Sequence, residues 1–543
     1  MARMARVHIE LKRVQTWLFK TTRLRAMVGA NVLLGETLRE RLKQLLLEGC
    51  SAAPPRWKTV ALDGNFPEAD KCDPLHASDN PAKDALLGIS SRDGGHFDVR
   101  FTNDDGAHAF AREAAALLRR DLPGLRFRIT GRMSGSTVGE PGTSMIGEPQ
   151  TALLPDLPVL LPCSWTGRGL ASATARQGTD RDEVSLDSAR RHSAAHRSEN
   201  REAKDLITLM LKECCQGWRM ADTFEELADG RYLAVIHADG NGVGAGLPDD
   251  ATESVRAEFH HRNRVLLRRA LAYALGKIRA ASEGTAAQPR SARPLPAPLL
   301  PLMLGGDDLL VVCRAEVALP FIRDLCVNLA DRQVDDSASK FRLTLGVGAA
   351  IASYALPFHQ LHQVAEALAA SAKRKVRGVP PQERVSVVDW SVYTASWAEK
   401  DLAEVRRRDW LRGPSGNLLL SRRPVEVCGH HLGSLQGLLE AADLLRQAPR
   451  SQLHHLVEQL AHDERLGELA FKELTDAALV PLRKAMGQQQ GVWQPLGDRG
   501  HKATSLLDLI EISEIPRLGL AVDEEPTSEA RGARAVAEVS LHG

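Results

Sequence analysis

The chain has 543 residues, 43% of them hydrophobic, with 70 Lys plus Arg against 69 Asp plus Glu. That length allows three or four domains, and the composition excludes a mostly disordered or collagen-like chain. The net charge of +1 speaks against a protein that coats polyanions by itself. No apolar run is long enough to predict a membrane span, and Met1-Ala-Arg-Met-Ala-Arg lacks the apolar stretch of a signal peptide. A soluble cytoplasmic protein is expected. The eight cysteines include no Cys-x-x-Cys pair, so they read as free thiols of a reducing compartment.

Residues 6–19 read as a strand leading into a turn, and 23–48 as a helix with Leu34, Leu38, Leu42 and Leu45 at helical spacing. Two apolar runs, Leu86–Ile89 and Phe97–Phe101, flank Asp93-Gly94-Gly95 and predict a hairpin. Residues 104–121 predict a helix, and 125–130 alternate as a half-buried strand does. Residues 172–204 are rich in Ser, Arg and Asp and read as a loop or linker, followed by a helical pattern over 205–228.

A buried strand then runs from Tyr232 to Asp239 and gives way to Gly240-Asn241-Gly242-Val243-Gly244. A long helix is expected over 254–281, and a Pro-rich spacer over 285–301. Two apolar strands follow, joined at Gly305-Gly306-Asp307-Asp308, then a helix over 315–331, a strand over 341–351 and a helix over 358–376. This block repeats the order of the first: strand, helix, hairpin pivoting on two glycines, helix, strand. Both fit a ferredoxin-like βαββαβ unit, which makes the chain α+β. Beyond residue 395 the pattern is helical and at first Arg-rich, ending in a polar tail over 522–543 that is expected to fray.

In such a sheet the strands ending at Asp239 and starting at Asp308 are neighbours, so Asp239, Asp307 and Asp308 converge. Clustered carboxylates repel unless a cation neutralises them, and hard oxygen ligands suit Mg²⁺ or Mn²⁺, with nucleotide phosphates completing the shell. Two such ions form the usual clamp for phosphoryl or nucleotidyl transfer. Gly305 and Gly306 leave room for a nucleotide to approach the hairpin. Gly240, Asn241 and Gly242, with Gly244, form a turn whose backbone N–H groups are candidates to face a triphosphate at the start of the next helix. Lys373-Arg374-Lys375 ends a helix and can add charge for phosphates. Taken singly, each feature has a plainer reading: Gly-Gly-Asp-Asp as a hairpin turn, Asp239-Gly240 as another turn, the basic run as a solvated helix end and His237 as a packed strand residue. The aspartate series of an EF-hand and the Gly-Lys-Ser/Thr of a Walker A loop are both missing.

Taken together, Asp239-Gly240-Asn241-Gly242, Gly305-Gly306-Asp307-Asp308, Leu343-Thr-Leu-Gly-Val-Gly348 and the helix from Pro357-Phe358-His359 through Ala365-Glu366 to Ala372-Lys373 resemble a polymerase/cyclase palm. They are more similar to the large, polymerase-like subunit of type III CRISPR–Cas effector complexes than to diguanylate cyclases. Residues 14–25 and the helical stretch from Leu444 resemble other parts of that subunit. The resemblance implies two palm domains: a degenerate first palm over 1–135, a linker and helical middle segment over 136–230, a catalytic palm over 231–395 and a helical C-terminal domain over 396–543. It implies a nucleotidyltransferase that converts ATP to cyclic oligoadenylates and releases pyrophosphate when target RNA is bound. Asp307 and Asp308 would be catalytic, Asp239, Asp307 and Asp308 would hold the ions, and Gly240, Asn241, Gly242, Gly305, Gly306 and Lys373 would border the nucleotide. Its partners would be crRNA and target RNA, met through other effector subunits, with self-association also allowed and no membrane contact.

The first palm carries Gly94-Gly95-His96-Phe97 and lacks both aspartates. The chain is expected to be a form without the family's HD nuclease domain, since His462-Asp463 is an isolated dyad and the family's paired Cys-x-x-Cys motifs are missing. Two other readings stay open: a GTP-using diguanylate-type cyclase, and a catalytically silent RNA-binding scaffold. Locally basic stretches, Arg262, Arg264, Arg268, Arg269, Lys373–Lys375 and Arg406–Arg408, keep an RNA partner compatible with near-neutral total charge.

Overall fold

The computed structural model describes residues 4–133, 142–146, 161–167, 169–177, 180–199, 218–285, 295–334, 341–394, 402–412, 417–487, 491–496 and 501–518. The helical pattern over 205–217, most of the Pro-rich spacer and the polar tail lie outside those residues.

The first sheet starts with β1 (Ala5–Lys12), whose alternating sequence buries Val7, Ile9 and Leu11 on one face. Helix α1 (Leu24–Glu36) follows and continues through a π turn at Thr37–Arg41. Strands β2 (Ile89–Ser91) and β3 (His96–Phe101) form the hairpin. Helix α2 (Asp104–Asp121) is capped by the Asn103 side chain, which accepts from Gly106 N–H, and β4 (Arg126–Arg132) and β5 (Thr143–Ile146) complete the unit. The order is β2-β3-β1-β4-β5, antiparallel throughout. Leu86 and Leu87 do not belong to the hairpin. The Asn80 cap and Pro81 start a short helix over Pro81–Leu86, so the strand begins at Ile89.

The stretch read as a loop over 172–204 is ordered differently. An antiparallel hairpin pairs Ala173–Gln177 with Asp180–Val184, and α3 (Leu186–Glu199) packs on α1. Its contact is built from small residues and a buried arginine, which apolar periodicity does not register. A β-carbon on Gly29 would lie 1.7 Å from the Arg191 carbonyl oxygen, and Ala194 and Ala195 are fully buried. The Arg191 guanidinium sits 4.0 Å from the Trp17 ring centroid and donates to the Trp17 carbonyl at 2.9 Å.

The second sheet repeats the plan. Strand β6 (Tyr232–Gly240) leads, through a 3₁₀ turn at Val243–Gly246, to the long α4 (Glu253–Thr285). Then come β7 (Leu299–Leu304), β8 (Asp308–Arg314), α5 (Ala315–Asp331), β9 (Leu345–Ser353) and α6 (Phe358–Lys375). Strand β10 (Val387–Tyr393) lies parallel to β9, as the α6 crossover requires, and β11 (Val425–Glu426) closes the edge. The order is β7-β8-β6-β9-β10-β11. Its first four strands match the order β2-β3-β1-β4 of the first sheet, which is the ferredoxin-like arrangement in both.

Both faces of this sheet are buried. Ala234, Ile236, Leu309 and Val311 join a core with α4, α5 and the C-terminal helices, while Leu233, Val235, Leu310 and Val312 join a core shared with the first palm. The chain beyond is mainly helical, with α7 (Leu435–Leu444), α8 (Arg450–His462), α9 (Glu464–Glu473), α10 (Asp476–Met486) and α11 (Leu506–Leu518), together with a small four-stranded sheet. Asp463 accepts from Arg465 N–H as the cap of α9, a structural role.

Candidate active site

The register of the second sheet places Asp308 directly opposite Asp239 across β8 and β6, and Gly346 opposite Asp239 on the other side. Asp307 sits beside them at the hairpin tip, where its carbonyl accepts from Gly240 N–H at 3.1 Å. The aspartates therefore converge as expected. Burial, and then the neighbouring Asp239 and Asp307 charges, push the Asp308 carboxyl up to about 7; burial and Asp239 also raise Asp307. The Lys373 ammonium donates to Asp239 and is the countercharge within the group. Oδ1 of Asp308 is buried without a hydrogen-bond partner among the described residues. An all-oxygen, over-acidic group with an unsatisfied buried carboxylate oxygen fits a hard divalent cation.

Lys373 reaches Asp239 because α6 lies unusually close to β9. A β-carbon on Gly348 would fall 2.1 Å from the Ala365 carbonyl oxygen, and one on Gly346 would fall 2.5 Å from Cγ of Lys373. The Leu-Gly-Val-Gly run is thus what lets the helix bring its lysine over the sheet. Lys375 turns away and donates to the Pro424 carbonyl at 2.7 Å, so only one end of the basic run reaches the aspartates.

The glycine-rich turn is held from within. Asn241 is buried, its side chain donating to Thr344 Oγ1 at 3.0 Å and its backbone N–H to the Thr344 carbonyl at 2.8 Å. Gly242 has φ +70°, and Arg384 donates to the Asn241 carbonyl at 3.0 Å. The N–H groups of Gly240 and Asn241 are committed to these bonds, and the long helix begins only at Glu253. The expectation that the turn opens directly onto a helix N-terminus is therefore corrected. The turn instead fixes the end of β6.

A cavity of about 540 Å³ lies between the two palms, lined by Asp239, Gly305, Gly306, Asp307 and Asp308 on one side and Arg39, Arg92, Asp93, Gly94 and Gly95 on the other. The two glycine pairs matched in the sequence face each other across it for different reasons. Gly94 and Gly95 take φ of +61° and +81°, a backbone that requires glycine. Gly305 and Gly306 have no positive φ, and β-carbons there would meet neighbours no nearer than 3.3 Å and 3.7 Å. Their missing side chains serve space in the cavity rather than the turn.

In the first palm the register sets His96 opposite Glu10, and Phe97 opposite Ile9 on the face that packs on Phe110 of α2. Ile9 and Phe97 are both fully buried and apolar. What the first palm contributes is charge: Arg39 pairs with Asp93, and Arg264 from α4 reaches Asp93 and Asp79, both at 3.2 Å. Arg268, fully buried, bonds Asp73 at 2.8 Å and Asp79 at 2.9 Å. Arg269 pairs with Asp70, and Arg406 with Asp389. Much of the basic character expected for an RNA-facing surface is consumed in these internal pairs, and Arg264 and Arg268 clamp α4 to the first palm. The clamp is not legible in the sequence, because Asp79 lies 185 residues from Arg264 and Asp73 lies 195 from Arg268.

Residues 232–378 match the family model described as Cas10/Cmr2, second palm domain. No curated protein matches the chain in sequence. Among solved structures, "Crystal structure of Csm1-Csm4 cassette in complex with one ATP" is similar at 13% identity and TM-score 0.45, covering 96% of this chain and 70% of that one. "Crystal structure of Csm1-Csm4 cassette in complex with cA4" has 14% identity and TM-score 0.44, covering 95% and 69%. "Crystal structure of Csm1 in T.onnurineus" has 13% identity and TM-score 0.44, covering 96% and 70%.

Proposed function

We propose, from the premise that the chain is Cas10-like over residues 232–378, that it is the nucleotidyltransferase subunit of a type III CRISPR effector complex and converts ATP to cyclic oligoadenylates. The observation that carries this reading is the convergence of Asp239, Asp307 and Asp308 at the edge of an inter-palm cavity large enough for nucleotides. The overall reaction joins a ribose 3′-oxygen to the α-phosphorus of an ATP, with loss of the hydroxyl proton and departure of pyrophosphate.

Asp239, Asp307 and Asp308 would hold the Mg²⁺ or Mn²⁺ ions, which supply Lewis-acid polarisation of the phosphate and favour the ionised hydroxyl. Lys373, held against Asp239, is placed to exchange that partner for phosphate oxygens when nucleotide and cation arrive. Gly305 and Gly306 leave the hairpin edge open to the nucleotide, while Asn241 and Gly242 hold the turn that aims Asp239. Arg39 and Arg92 line the opposite wall, where Arg39 is paired with Asp93 and Arg92 with Asp84. The preference for adenine, the release of activity by target RNA and the crRNA-bearing partner subunits follow from the family resemblance.

The test is mass spectrometry of products formed from ATP with Mg²⁺ or Mn²⁺ by the chain assembled with its partner subunits, crRNA and target RNA. Cyclic oligoadenylates are expected, and the D307A/D308A double variant should yield none. Unchanged yield from that variant overturns the site. Product from GTP alone would move the reading to a diguanylate-type cyclase, and absence of Mn²⁺-dependent nucleotide binding would leave only a scaffold role.

A further inference from the structure

His237 lies two residues before Asp239 and shares its face of β6, where it meets His362 and Glu366 of α6. One ligand atom from each of these residues lies within 4.8 Å of the others. The two imidazole centroids are 5.8 Å apart, and Nδ1 of His362 is 3.8 Å from Oε2 of Glu366 across one helical turn. Nε2 of His237 is 3.4 Å from Oδ1 of Asp308. Both histidine side chains are 8% exposed, yet Nδ1 of His237, Nε2 of His362 and Oδ1 of Asp308 have no hydrogen-bond partner among the described residues. Ordinary packed histidines satisfy their nitrogens, and an unpartnered set gathered in one place requires an explanation. The rings of Phe19 and Phe358 stand against His362, at 4.9 Å and 6.1 Å between centroids, and close the apolar side. Glu366 is 40% exposed and opens the other side to solvent.

We propose that His237, His362 and Glu366 form a second cation site, distinct in chemistry from the aspartate site, that binds a transition metal of the zinc class. Two imidazoles and one carboxylate are a borderline-soft donor set with a free position, which suits Zn²⁺ or Co²⁺, whereas the all-oxygen aspartate group suits Mg²⁺ or Mn²⁺. The i,i+4 spacing of His362 and Glu366 puts both donors on one face of α6, and His237 supplies the third from the sheet. Burial keeps the His362 ring neutral, its pKa pushed down to about 4, so its lone pair is available at neutral pH. A bound ion would tie β6, which carries Asp239, to α6, which carries Lys373. It would also set positive charge beside Asp308. The site does not depend on the nucleotidyltransferase reading.

The experiment uses the full chain, stripped with a chelator and dialysed, then titrated with Zn²⁺ against a chromophoric competitor and with Co²⁺ followed by visible absorption. One equivalent is expected, with the absorption of a low-coordinate cobalt site. H362A and E366Q should each weaken Zn²⁺ binding by at least about tenfold, while D239N/D307N should leave it in place. Circular dichroism reports whether H362A has folded, and E366Q, on a partly exposed residue, provides the same test if it has not. No Zn²⁺ uptake by the wild type, or binding that survives E366Q and is lost in D239N/D307N, overturns the proposal.

Discussion

Gly346 and Lys373 are in contact so close that a β-carbon on the glycine would stand 2.5 Å from the lysine Cγ, and Gly346 is itself the cross-strand neighbour of Asp239. Strand, helix and ion pair are thus set by one missing side chain. In G346A the C-terminal turn of α6 must move outward, because the same β-carbon also lies 3.3 Å from the Lys373 backbone nitrogen. Overpacking of this kind costs about 1–3 kcal/mol. We expect G346A to lower the urea midpoint and to weaken Mn²⁺-ATP binding, measured by calorimetry, whereas K373A should weaken binding with little loss of stability.

Asp308 makes the site pH-sensitive in a defined direction. Its folded carboxyl titrates near 7, raised by burial and by Asp239 and Asp307, whereas an unfolded aspartate titrates near 4. Between those values the folded state holds a proton that the unfolded state releases, so stability without metal falls as pH rises from about 4 to 7. In chelator, D308N should melt a few degrees above wild type at pH 8, with the gap closing toward pH 4. Divalent binding requires the ionised form, so Mn²⁺ affinity of the wild type should drop about tenfold from pH 8 to pH 6.

How much of this was legible in the sequence depends on range. The duplicated strand order and the meeting of Asp239 with Asp308 followed from apolar runs and turn residues, since a ferredoxin-like sheet leaves one choice of neighbours once its strands are known. That Ile9 and Phe97 stand opposite each other in the first palm came only with the register. Helix α3 escaped because Gly29, Ala194, Ala195 and Arg191 pack by closeness and cation–π contact rather than by a stripe of large apolar residues. His237 reads in sequence as a packed strand residue. Nothing local shows that His362, 125 residues away, leaves its own nitrogen unsatisfied beside it.

The Arg39–Asp93–Arg264 group should be a point of high stability cost. Burial alone would raise the Asp93 carboxyl, but Arg39 and Arg264 outweigh it and hold it below the usual aspartate value. Removing Asp93 leaves the Arg39 and Arg264 side chains, 6% and 12% exposed, without that partner. Breaking a buried pair from one side costs about 3–5 kcal/mol, so D93A should show a clearly lower urea midpoint at pH 7. The contribution is present above the ordinary aspartate pKa and is lost as pH falls through the folded one, so wild type and D93A should converge in acid.

The first palm should not become a cation site when carboxylates replace its paired apolar residues Ile9 and Phe97. Ile9 and Phe97 are fully buried, and Phe97 packs 6.1 Å from Phe110 between ring centroids. Aspartates at both positions would remove that packing and bury two like charges that, among the described residues, have no lysine corresponding to Lys373 held against them. Truncation alone, as in F97A, costs about 3–5 kcal/mol. I9D/F97D should therefore fail to fold or melt far below wild type, and any folded fraction should bind no additional Mn²⁺ by equilibrium dialysis. A stable I9D/F97D protein with an added Mn²⁺ equivalent would mean that this apolar pair is not needed for the core of the first palm.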